Sequence, residues 1–246
     1  MKPQTIDASS LPYKCGIIIP NYNCASFVLD AINSAVQQSY KNKRIIVIDD
    51  CSTDNSVALI ENFIKDIKDV PIIFLKNEKN IGVSATRNLG ILAAADCEMV
   101  AFLDADDYYH KEKITLSAAK MCEFPGVGIV YSDYHMYDES TGITKYEYKA
   151  PFSYKALLHY CLISTNSVFK REVFSKVGYF NENFKIGEDY LMYLKVATKY
   201  MIAHIPFPLF TYRTHGKNAT LNITNEDWAE NDKKIKQEFT NWLKRG

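Results

Sequence analysis

Short continuous apolar runs alternate, through the first half of the chain, with segments whose apolar positions recur at helical spacing. Residues 15–20, ending in Pro20, read as a buried parallel strand. After a loop at Asn21, Tyr22 and Asn23, Ser26 is expected to cap a helix carrying Phe27, Ala31, Ala35 and Val36. Residues 44–48 form the next strand, which runs into Asp49, Asp50, Cys51, Ser52, Thr53 and Asp54. Ser52 or Thr53 then caps a helix faced by Val57, Ile60, Ile64 and Ile67. A third strand at 72–75 leads through Asn80, Ile81 and Gly82 into a helix over about 83–95. The run from Val100 to Leu103 then stops abruptly at Asp104, Asp106 and Asp107. Such alternation predicts an open, mostly parallel α/β sheet flanked by helices, and ligands of such sheets bind at the carboxyl ends of the strands. Pro20 with Asn21, Asp49 with Asp50, and Asp104 with Asp106 should therefore meet in one crevice.

Beyond residue 125 the pattern changes to a smaller mixed region. A strand at 128–133, a hairpin turn at Ser140, Thr141 and Gly142, and a strand at 167–169 between helices at 153–160 and 171–177 are predicted. Seven tyrosines fall between Tyr131 and Tyr160 and read as half-buried sheet positions or as an aromatic platform for a sugar or lipid. Gly187, Glu188 and Asp189 open a helix to about residue 198, and strands follow at 202–205 and 209–212. The tail at 225–246 reads as an amphipathic helix with Trp228, Ile235, Phe239, Trp242 and Leu243 on one stripe and Lys233, Lys234, Lys236, Lys244 and Arg245 around it. Docking onto the body is one reading of this stripe, and peripheral contact with a membrane face is the other. With no repeats or linkers, residues 1–246 read as one domain: a nucleotide-binding half at about 15–125, an acceptor-side half at about 126–220, and the tail helix.

Composition narrows the partners. Of 246 residues, 29 are Lys or Arg and 29 are Asp or Glu, so no global field points to nucleic acid. Residues 1–14 lack a secretion signal and no apolar stretch is long enough to span a bilayer, from which a cytoplasmic protein is expected, with the inner face of the membrane as a further site. The six cysteines lack Cys-x-x-Cys spacing and read as reduced packing residues. Asn218-Ala219-Thr220 and Asn222-Ile223-Thr224 match the glycosylation triplet but carry no weight without such a signal.

The first strand does not enter a glycine-rich loop, which argues against dinucleotide oxidoreductases and P-loop ATPases. Instead Tyr22 offers a ring for stacking and Asp50 a carboxylate able to accept the N–H of a uracil. Arg87 suits a bidentate contact with phosphate or carboxylate, and Asp104 and Asp106 can hold a divalent cation against a diphosphate. Together these describe a nucleotide-diphosphate site.

The chain resembles the family 2 glycosyltransferases of GT-A fold. The resemblance rests on six clusters in the family's order: residues 20–23, 49–54, 80–90, 102–107, 187–189 and 212–215. It implies that Pro20, Tyr22, Asn23, Asp50, Asn80, Arg87, Asp104 and Ala105 line the nucleotide site, and that Asp104, Asp106 and His215 hold Mn²⁺ or Mg²⁺. Asp189 is the implied general base, with Glu188 as substitute or as the neighbour that raises its basicity. The implied reaction is inverting transfer of a hexose from a UDP-hexose or UDP-N-acetylhexosamine to a saccharide or lipid-linked saccharide of a bacterial surface glycan. A sugar-nucleotide nucleotidyltransferase and a non-catalytic sugar-nucleotide-binding scaffold are the alternatives. Cys51 stands where the family commonly has Gly and Thr86 where it has Ala, both expected to be tolerated as small; Leu191 and Lys195 depart from the acidic and Arg positions of many relatives.

Overall fold

The computed structural model describes residues 8–218, 221 and 223–245; residues 1–7, Ala219, Thr220 and Asn222 of the two glycosylation triplets, and Gly246 lie outside the described residues. In chain order the elements are β1 (Cys15–Asn21), α1 (Val28–Val36), β2 (Lys43–Asp49), α2 (Ser56–Ile64), β3 (Ile72–Lys76), α3 (Val83–Ala93), β4 (Met99–Phe102), β5 (Tyr108–Tyr109), α4 (Lys113–Glu123), β6 (Val127–Asp138), β7 (Ile143–Glu147), α5 (Tyr154–Leu157), β8 (Val168–Lys170), α6 (Glu172–Val177), α7 (Glu188–Val196), β9 (Met201–Thr214) and α8 (Asn225–Arg245). They build one sheet in the order β3-β2-β1-β4-β8-β6-β9-β5, with β7 paired to β6. The β3-β2-β1-β4 half is parallel throughout. Beyond β4 the sheet is mixed: β8 is antiparallel to β4 and β6, β9 runs parallel to β6, and β5 is antiparallel to β9.

Alternation along the central strands divides the core in two. Ile18 of β1, Ile46 and Ile48 of β2, and Val100 and Phe102 of β4 face α3, α6, α7 and α8 through Ile91, Phe174, Leu191 and Ile235. Their neighbours Ile17, Ile19, Ile45, Val47, Met99 and Ala101 face α1, α2 and α4 through Ala31, Ile60, Ile114 and Ala118. This period-2 division makes the apolar runs read as continuous, because both faces are buried. β1 has neighbours on both sides and chain continuing away from it in both directions, so its carboxyl end is the switch point at which a ligand crevice opens.

Several sequence expectations are corrected. Ser26 is not a cap: α1 begins at Val28 without a side-chain cap bond. Neither Ser52 nor Thr53 caps α2: Asn55 precedes the helix without a side-chain cap bond, Asp54 Oδ1 accepts from Ser56 N at 2.9 Å just before it, and Ile67 lies past the helix end. The two strands expected at 202–205 and 209–212 are one strand, β9, because pairing with β6 continues, with register shifts, across Phe207 and Pro208. Helix α4 was hidden from apolar periodicity because half of its buried face is Lys113, Thr115 and Ser117. Lys113 Nζ donates to Ser132 Oγ at 3.0 Å and lies over the Phe210 ring, and burial pulls its ammonium down to about 7. Cys51 occupies the left-handed region at φ +62°, so the glycine common there answers a backbone need and not only a size limit.

The apolar stripe of α8 lies on the body. Ile235 and Phe239 are buried, Trp242 packs beside them with Lys195 and Lys199 over its ring, and Trp228 and Leu243 stay exposed.

Helix α3 approaches the sheet closely at Gly90, where an added Cβ would lie 2.4 Å from Cγ2 of the fully buried Ile18. Alanine gains about 1 kcal/mol in helix propensity, but overpacking costs about 1–3 kcal/mol, and more where neighbours cannot yield. Gly90→Ala is therefore expected to lower Tm by a few degrees in a calorimetric scan; a rise would mean that α3 is not seated on Ile18.

Candidate active site

The loops after β1 and β2 are stitched to each other. Asn23 Oδ1 accepts from Thr53 N at 2.7 Å and Asp54 N at 3.2 Å, and Asp49 accepts from Asn21 Nδ2 at 2.6 Å and Ser52 N at 2.8 Å. Asp50 holds the following loop: Oδ1 accepts from Asn77 Nδ2 and Ile81 N, and Oδ2 from Gly82 N at 2.8 Å. Each carboxylate oxygen can accept twice, so Asp50 Oδ2 keeps capacity for one more donor. The Tyr22 ring is exposed beside Pro20, and Asn80 lies exposed on the loop that Asp50 organises.

The acidic turn after β4 is supported from two directions. Asn166, in the left-handed region at φ +56°, accepts from Asp104 N at 2.9 Å and donates to Asp107 at 2.5 Å. From β9, Arg213 donates its N–H to Asp107 Oδ1 at 2.9 Å and its Nε to the Asp106 carbonyl at 3.1 Å. Asp107 is thus fully buried and braces the turn, and burial beside Asp106 and Asp104 holds its carboxyl well above the usual range. His215 stacks on Phe27 and sets its Nε2 3.2 Å from Asp106 Oδ2, which also accepts from Asn218 Nδ2 at 3.3 Å. Ala105 is buried between the two acidic side chains' positions.

Arg87 is buried and divides its guanidinium between two carboxylates: Nη2 lies 2.7 Å from Asp104 Oδ1, and Nη1 pairs with Glu188 Oε1. Its Nε has no hydrogen-bond partner among the described residues. Of the partners expected for Arg87, phosphate or carboxylate, the structure shows the carboxylates. Two carboxylates and an imidazole are a chemically suitable donor set for a hard divalent cation, and Asp106 is raised first by burial and then by the neighbouring Asp104 charge, a repulsion that a cation relieves. Among the described residues, however, no three His, Cys, Asp or Glu side chains stand grouped for a metal, since Asp104 is turned to Arg87.

Asp189 occupies the first turn of α7, after Gly187 in the left-handed region at φ +73°. Its Oδ1 accepts from Tyr190 N at 2.7 Å. Burial, followed by the adjacent Glu188, pushes its carboxyl up to about 7 against the lowering pull of Arg87. The effect of a helix start, which favours the ionised form, is therefore outweighed. Asp189 opens into a cleft of about 730 Å³ lined on the body side by Tyr134, Lys149, Ser164, Tyr190 and Tyr212.

Sequence reasoning missed Asn166, Arg213 and Asn218. For Asn166 a signal existed, because asparagine is among the few residues that adopt the left-handed region readily. Arg213 lies inside a quoted cluster, but its partners in the acidic turn are more than a hundred positions away.

The raised carboxyl of Asp189 has a measurable sign. Between about pH 4 and about pH 7 the folded protein keeps a proton that the unfolded chain releases, so this group's contribution to stability falls as pH rises through that window. Asp189→Asn carries no such loss, so its Tm relative to the wild type should be higher at pH ~8 than at pH ~4. A constant difference across pH would mean that Asp189 titrates in the ordinary range.

Known proteins share this fold. Solved structures with similar folds include S. aureus TarS 1–349 in complex with UDP-GlcNAc, at TM-score 0.72 and 19% identity over 93% of this chain and 72% of that one. The mannosyltransferase PcManGT from Pyrobaculum calidifontis, in complex with GDP-Man and Mn²⁺, gives TM-score 0.67 and 18% identity over 85% of this chain and 59% of that one. The E. coli protein WfaP, named as a UDP-Glc:alpha-D-GlcNAc-diphosphoundecaprenol beta-1,3-glucosyltransferase, is 32% identical over 85% of this chain and 81% of its own length. An uncharacterized glycosyltransferase of Rickettsia conorii is also 32% identical, but the match spans 35% of its length. Residues 16–178 match the model of the family described as Glycosyl transferase family 2, and the chain belongs to that family.

Proposed function

We infer that this glycosyltransferase is a metal-dependent, inverting enzyme that moves a hexose from a UDP-sugar to a saccharide or lipid-linked saccharide of a bacterial surface glycan. The observation that carries this reading is Asp189: a carboxylate whose proton affinity is raised to about 7 opens into a large cleft and is tied through Glu188 and Arg87 to Asp104. A general base works best when its pKa lies near the operating pH. In the proposed reaction an acceptor hydroxyl in the cleft gives its proton to Asp189 as its oxygen attacks the anomeric carbon from the face opposite the diphosphate. Asp189 Oδ2 is the natural acceptor of that proton, because Oδ1 is engaged by Tyr190 N. Glu188 keeps Arg87 in place.

On the donor side, Asp50 Oδ2 retains capacity for a uracil N–H and the exposed Tyr22 ring is available for stacking, beside Pro20, Asn23 and Asn80. Asp104, Asp106 and His215 would hold Mn²⁺ or Mg²⁺, which neutralises charge growing on the leaving diphosphate. The UDP-sugar named for WfaP and the UDP-GlcNAc named in the TarS complex favour UDP, while PcManGT carries GDP-Man. The acceptor named for WfaP, a GlcNAc-diphosphoundecaprenol, supports a lipid-linked saccharide and action at the inner membrane face. No helix among the described residues is long and apolar enough to cross a membrane.

A panel of UDP- and GDP-sugars with Mn²⁺, scored for binding and for slow hydrolysis, tests the donor; UDP preference is expected and GDP preference overturns the role given to Asp50. Asp189→Asn should bind the preferred nucleotide as tightly as the wild type while its turnover falls by about 10²–10⁴-fold. The wild-type rate should rise with pH through about 7 as Asp189 loses its proton, and that limb should vanish in the variant.

A further inference from the structure

Helix α8 lies beyond the residues that match the family model, yet it closes one side of the cleft in front of Asp189. Trp228, Asn231, Asp232 and Ile235 share one face of it, spaced by three and four residues. Ile235 is buried against the start of α7, and Asn231 Nδ2 donates to the Ile186 carbonyl at 2.8 Å. The seat is tight: a Cβ on Gly187 would lie 2.6 Å from Ile235 Cδ1 and 3.0 Å from Asn231 Nδ2. The same face that anchors the helix beside the base therefore presents its first turns to the cleft. There Trp228 keeps 42% of its surface exposed, in a cleft that Tyr160 and Tyr190 also line.

We propose that this face of α8 is a wall of the acceptor site, with the Trp228 indole as the platform for the acceptor's sugar ring and Asn231 and Asp232 as hydrogen-bonding partners of its hydroxyls. The proposal rests on the glycosyl-transfer reading and identifies which residues recognise the acceptor. A hexose ring has an apolar C–H face and a polar rim, which matches an exposed aromatic face flanked by an amide and a carboxylate. Asn231 Nδ2 holds Ile186, which turns its Oδ1 into a candidate acceptor for a sugar hydroxyl, and Asp232 is steadied by Lys236 at 2.7 Å. A rigid aromatic surface orients a ring at little conformational cost, and orientation of the attacking hydroxyl toward Asp189 is what the transfer requires.

Saturation-transfer NMR on the full chain with UDP present, using octyl glycosides of glucose, galactose and N-acetylglucosamine as probes, tests this. Wild type should saturate the ring protons of at least one glycoside, Trp228→Ala should weaken that binding about tenfold, and Trp228→Phe should restore most of it. Trp242→Phe, on the docked side of α8, should bind the glycoside as wild type does, and UDP affinity should be equal in all variants. Unchanged glycoside binding in Trp228→Ala, or no ring-proton saturation in the wild type with any probe, overturns the proposal. Failure of the wild type to bind UDP is a separate outcome that overturns the glycosyl-transfer reading itself.

Discussion

A single buried guanidinium holds the two halves of this site together. Arg87 faces Asp104 of the acidic turn on one side and Glu188 of α7 on the other, with the Phe102 and Phe180 rings 6.0 and 5.8 Å from its centre. Carboxylates gathered in a weakly polarisable interior repel one another and resist ionisation unless a cation is shared among them. Arg87 can serve because α3 puts it there. That helix is seated by the absence of a side chain at Gly90, by the Thr86 hydroxyl donating to the Gly82 carbonyl at 2.9 Å, and by Asn88 bonding both ways with Phe180.

From that arrangement the chemistry of Asp189 follows. Burial and Glu188 raise its proton affinity, Arg87 lowers it, and the balance near 7 suits the general-base role proposed for it. Asp104 and Glu188 share the Arg87 guanidinium, and the charges of all three act on Asp189, so a change at Asp104 also changes the field at Asp189. The tail helix adds the third side, gripping Gly187 two residues before the carboxylate and facing the cleft with Trp228.

Much of this was legible in the sequence. Apolar runs ending in polar clusters placed β1, β2 and β4 and predicted that their carboxyl ends meet, and the clusters' order pointed to the family. What stayed hidden was reciprocal service between distant positions. Asp50 holds the loop at 77–82, Asn23 holds the loop after β2, and Asp107 is a buried brace for Arg213; none of these roles leaves a local pattern. The pairing of Arg87 with Glu188, 101 positions apart, is of the same kind. Helix α4 escaped because a buried lysine paired with a serine and laid over aromatic rings looks polar in sequence and apolar in packing.

The most direct test of the account is the titration of Asp189 by carboxyl-carbon NMR in the wild type and in Arg87→Met. A shared guanidinium predicts a titration near 7 in the wild type and a clear upward displacement, by about one pH unit or more, once the cation is removed. An unchanged midpoint would contradict it, showing that Arg87 does not govern the charge of the base.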